Sequence, residues 1–183
     1  LKTATFYESK LVRRNWLFYF FILGILGYTI GVLITLDTNR ILWSNIAFAS
    51  SIPLRGIYFL NLFQSLIITF IVCDNRRKQK KADTREVLST RPVGNGQSYL
   101  WEFSGVLLPF LAVDVIFMIA CVFINIFVPD SPVNPLINLF YLLMRILPSL
   151  VFITGLSLLV NRLVKHPFLS WLILTVFLYL AYA

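Results

Sequence analysis

Residues 16–36 read WLFYFFILGILGYTIGVLITL, twenty-one consecutive positions without a charge. At 1.5 Å of rise per residue, a helix of that length spans about 30 Å, the thickness of the hydrocarbon layer of a bilayer. The pattern then recurs. Apolar stretches over 57–73, 101–128, 136–160 and 168–183 are each long enough, or nearly so, to cross as well. The chain therefore reads as an all-α membrane protein, a single transmembrane domain over 1–183 built as a bundle of about five helices.

Composition agrees with this reading. Of 183 residues, 58% are hydrophobic and 13% charged, against roughly 45–50% and about 25% in a soluble domain. A globule of this length has too few charges to cover so much apolar surface, so lipid or neighbouring membrane helices must solvate it. The net charge is +8, but Lys and Arg sit in short tracts between apolar runs, which argues for membrane topology and against nucleic acid as a partner. Cys73 and Cys121 fall inside apolar runs and read as small hydrophobes; neither a disulfide framework nor a metal spacing follows from them. The first apolar run is as long as a full span and has no small-residue cleavage site, so it does not read as a cleaved signal peptide.

The connections alternate in charge. Lys2, Lys10, Arg13 and Arg14 precede the first span. Arg76, Arg77, Lys78, Lys80, Lys81, Arg85 and Arg91 lie between the second and third, and Arg162 and Lys165 between the fourth and fifth. The two opposite connections hold Arg40 and Arg55, and Arg145 lies within a span. The excess of Lys and Arg in cytoplasmic loops then sets the N-terminus and the 74–100 connection in the cytoplasm, as in a multi-pass protein of the inner, cytoplasmic membrane. Trp16, Trp101 and Trp171 fall at the cytoplasmic interfaces so defined, where aromatic belts form. Gly24, Gly27 and Gly31 share one face of the first span and would let another helix approach, although glycine is also simply common in membrane helices. Pro109 and Pro148 are expected to kink their spans. Residues 3–15 mix apolar and basic side chains, as in a short helix lying along the interface.

The 74–100 connection has two parts. Residues 74–81 extend the second span as a cation-rich segment suited to anionic headgroups. Next, Asp83 or Thr84 caps a short helix with Glu86, Val87 and Leu88, which Arg91-Pro92 ends because the residue before proline disfavours the α region. A turn is expected over 93–96. Such a short helix is marginal alone and gains from docking, with Val87 and Leu88 entering a groove and Glu86 and Arg91 at its rim.

The run EVLSTRPVGNGQSYLWEFSGVLLP, residues 86–109, resembles the cytoplasmic loop of bacterial exporter-class ABC transporter permeases, in which a Glu-x-Leu-x-x-x-Pro-Val-like stretch follows the second span. Glu86, Leu88, Pro92 and Val93 match it. Trp101-Glu102 stands where members often carry Gly-Lys. The resemblance implies a coupling helix formed by Asp83, Glu86, Val87, Leu88, Arg91 and Pro92 that fits a separate ATP-binding-cassette ATPase. It also implies a second permease half as partner, six spans of which these five form the N-terminal part, and ATP and Mg held on the ATPase. This chain carries no phosphate-binding loop of the Gly-x-x-x-x-Gly-Lys-[Ser/Thr] type. It has no His-Glu-x-x-His, and its one histidine, His166, reads as an interfacial polar residue. We assign no catalytic residue, metal ligand or resident cofactor.

Asp114 and Arg145 lie inside spans, where ionisable groups are costly and usually face the bundle interior or water. Asp114 is 13 residues from Trp101 and Arg145 15 residues from Val160, about 20 and about 22 Å along their helices. An ion pair between antiparallel neighbours is therefore feasible, either as packing or as a gating pair. Arg145 snorkelling to the far interface is the alternative. The expected function is the membrane subunit of an ATP-driven exporter. A secondary transporter or channel, or a membrane scaffold without transport, remains an alternative.

Overall fold

The computed structural model describes residues 2–38, 51–79, 95–127, 135–164 and 166–182, and every element in them is helical. Helix α1 covers Lys2–Arg13 and α2 Trp16–Thr38; α3 covers Ser51–Gln79 and α4 Asn95–Phe127; α5 (Pro135–Tyr141) runs through a π-helical turn (Leu142–Ile146) into α6 (Leu147–Leu163), and α7 covers Pro167–Tyr182. Three rods are long and apolar enough to cross a bilayer: Gly56–Asn75 in α3, Gly96–Ile124 in α4, and Pro135–Leu163 from α5 through α6. Trp16–Gly31 and Pro167–Ala181 are apolar but shorter. The chain is thus a helical membrane protein.

Local chemistry explains the joints. The α1–α2 corner turns at Arg14 and Asn15. Asn15 caps α2 by accepting from the backbone N–H of Leu17 at 3.2 Å. Its own amide donates to Asp74 Oδ2 of α3 at 3.5 Å, so the cap also ties two helices. Pro109 sits inside the unbroken α4. Pro148 stands in the first turn of α6 directly after the π-helical turn. Its ring would clash with the carbonyl four residues back, at Met144, and the wider π turn relieves that contact. The turn expected over 93–96 is corrected in part: Asn95 and Gly96 are the first residues of α4, because the apolar run from Tyr99 onward propagates the helix back through them.

Helix α3 is the hub, touching α2, α4, α5, α6 and α7, while α1 packs on α4 and α2. The core is aromatic where α2 meets α4: Phe110 lies 5.4 Å from Phe18 and 5.1 Å from Phe21, ring centre to ring centre. Ile68 and Ile71 of α3, both fully buried, continue it towards Leu150 of α6. Elsewhere large apolar side chains such as Leu23, Ile116 and Phe152 face outward, as they do where the solvent is lipid. Gly24 meets the ring of Phe63 on α3, with Cζ 3.0 Å from where a Cβ would stand, whereas a Cβ at Gly27 or Gly31 meets no atom within 4 Å. The three glycines thus do not form one contact face against the described residues.

Candidate functional site

At the end of the bundle that carries the basic connection, α1 lies across the first turns of α4. The crossing is close because residue 105 is glycine: a Cβ there would collide with Cβ of Glu8 and with the backbone at Glu8 and Ser9. That approach brings the Glu8 carboxyl towards Glu102 on α4. Burial, and then the like charge of Glu102, push the Glu8 carboxyl above the usual glutamate range. Glu102 Oε2 in turn pairs with Nη2 of Arg162 on α6 at 3.7 Å. The Arg162 guanidinium also lies over the ring of Tyr99, 4.9 Å from its centre, and the Tyr99 hydroxyl donates to the Gly155 carbonyl at 3.4 Å. Arg162 of α6 is therefore bridged to Glu102 of α4, and the same Glu102 faces Glu8 of α1 as a like charge.

A cleft of about 570 Å³ opens between α2, α3 and α7. Trp16, Phe70, Phe168 and Trp171 form its apolar walls, and Asp74 and His166 are its ionisable lining residues. The cleft thus brings Trp16 and Trp171 to one site, and Trp101 is not among its lining residues. A space of this size, apolar with a polar edge, suits the boundary part of an amphiphile.

The bundle interior holds a second polar feature. Asp114 of α4 is fully buried, and its Oδ2 accepts from Gln64 Nε2 of α3 at 3.0 Å. Its other oxygen is buried with no donor among the described residues. Arg145 is not its partner: Arg145 Nη1 donates to the Tyr58 hydroxyl at 3.0 Å, on the exposed side of the bundle. Equal depth along neighbouring helices left the angle around each axis open, and that angle separates the two charges. Gln64 was missed although an amide inside the 57–73 run was a visible signal. Asn15 was missed as a cap although Asn directly before an apolar run is a standard helix-start signal. Asp83, Glu86, Val87, Leu88, Arg91 and Pro92 lie outside the described residues.

Among the described residues no group of three or more His, Cys, Asp or Glu side chains is arranged to hold a metal ion. Comparison with protein-family models, curated proteins and solved structures returns no match.

Proposed function

We propose that this chain is the membrane subunit of an ATP-driven exporter, with five spans, a cytoplasmic N-terminus and a coupling segment at 83–92 that a separate ATPase pushes. The observation that supports this reading most is how α4 is tied at the end where that segment rejoins the bundle. Gly105, ten residues into a 33-residue helix, is where α1 clamps on, and Glu102 is where α6 is bridged. A displacement at the start of α4 is therefore felt by α1 and α6 together, and a continuous helix carries it across the membrane thickness. In this reading the chain supplies no ATP chemistry of its own; nucleotide and Mg stay on the partner.

The test is reconstitution. The full-length protein co-purified with its ATPase should move substrate only with hydrolysable ATP, and Glu86→Arg should abolish both co-purification and transport. Transport that survives ATP depletion would overturn the proposal. A second reading, an ion-coupled carrier, is favoured by Asp114, since a buried carboxyl with one oxygen lacking a donor is a group that such carriers use. Gradient-driven uptake that needs no ATP and is lost in Asp114→Asn would select it.

A further inference from the structure

Arg145 stands in the π-helical turn on a face where Leu139, Phe140, Leu143 and Met144 are each at least half exposed. It is seventeen residues from Arg162 at the basic end, about 25 Å along the rod. Tyr58, sixteen residues from Asp74 on α3, lies at about 24 Å on the same scale. Both therefore sit near the far edge of a ~30 Å hydrocarbon layer, within snorkelling reach of its headgroups.

The Tyr58 hydroxyl takes one N–H of Arg145 at 3.0 Å, and its ring stands 5.5 Å from the guanidinium carbon. Guanidinium has five N–H donors, so this contact orients the fork and leaves most of it unspent. Of the acidic side chains described, Glu8, Asp74 and Glu102 lie at the basic end and Asp114 is buried.

We propose that Arg145 and Tyr58 bind the phosphate of a phospholipid headgroup in the leaflet opposite the basic end. Charge complementarity carries the assignment. A planar fork fixed by one tyrosine matches two phosphate oxygens, and the Tyr58 hydroxyl, having accepted from Arg145, still has its own proton to donate. The exposed apolar side chains around the turn give the acyl chains a surface to lie on. The inference rests on the chain lying in a bilayer and not on ATP-driven transport, so its failure and that of the exporter reading are separate.

The test is native mass spectrometry of the purified full chain with three probes: phosphatidylglycerol, a phosphate-free galactosyl diacylglycerol, and inorganic phosphate. Wild type should retain phosphatidylglycerol in preference to the galactolipid. Arg145→Gln should reduce that retention at least about tenfold, the scale of one charge-assisted contact. Tyr58→Phe, which keeps the ring, should reduce it less, and it decides the matter if Arg145→Gln does not fold. Equal retention of the galactolipid, or unchanged retention in Tyr58→Phe and Arg145→Gln, overturns the proposal. So does displacement of the lipid by inorganic phosphate alone, which makes the site one for a free anion. A change of oligomeric state in Arg145→Gln that is independent of lipid also overturns it, because the residue then serves a contact between copies.

Discussion

Gly105 and Glu8 test the α1 clamp at the level of single atoms. Any side chain at 105 must push α1 away, since Glu8 Cβ and the α1 backbone already occupy the space. Gly105→Leu should cost about 1–3 kcal/mol, the usual range for overpacking, seen as a lower thermal midpoint in detergent and as faster hydrogen exchange in α1. Glu8 makes the same contact pH-dependent. Its carboxyl is raised in the folded protein by burial and then by Glu102, so the folded state holds the proton more tightly than the unfolded chain. The resulting stability is complete below the ordinary glutamate range and declines as pH rises through the folded value. Glu8→Gln should flatten that decline in a pH series of α1 exchange; an unaltered slope would assign the titration to another group. At the interior pair, Gln64→Leu removes the amide that donates to Asp114 and leaves a buried carboxyl without a donor. It should cost about 1–3 kcal/mol, and more than Gln64→Leu costs in an Asp114→Leu background. Equal costs in a double-mutant cycle would mean that the 3.0 Å contact contributes nothing.

Among the helices, the contact between α2 and α3 turns on which glycine faces which ring. Phe63 is held by Phe20, Phe21 and Phe59 at centre distances of 5.7, 5.9 and 5.6 Å, so it has little room to yield to a Cβ at Gly24. Gly24→Ala should lower the thermal midpoint, while Gly27→Ala, with no atom within 4 Å of its new Cβ, should leave it unchanged or raise it through better helix propensity. Sequence periodicity put these glycines on one face, which is correct for α2 alone, but whether a neighbour stands there is a property of α3. The same distinction governs the charges. Counting residues from a basic boundary gives Asp114 and Arg145 only a distance along their helices, since rise per residue is nearly constant. Their partners, Gln64 and Tyr58, depend on the rotation of each helix and on the π turn ahead of Pro148, which spacing does not encode. The long spans were legible for a simpler reason: a charge-free run such as 57–73 has no other way to satisfy its backbone in lipid than to be helical. The helix starts were less so, and α4 begins at Asn95, six residues before the apolar run that announces it.

Taken as a whole molecule, the bundle has its described ion pair, Glu102 with Arg162, at one end. Glu8, Glu102, Arg162, Asp74 and His166 all lie towards the basic connection, while Arg145 is exposed in the π-helical turn beside Tyr58. The exporter reading needs that basic end to face the nucleotide, because α1, the start of α4 and the 83–92 segment act there together. Orientation is therefore the claim on which the coupling account stands. A single cysteine introduced by Arg85→Cys, with Cys73 and Cys121 replaced by alanine, can be challenged with a membrane-impermeant maleimide in intact cells and in inverted vesicles. The account predicts labelling in inverted vesicles and none in intact cells; labelling of intact cells would put the segment on the outer side and contradict it.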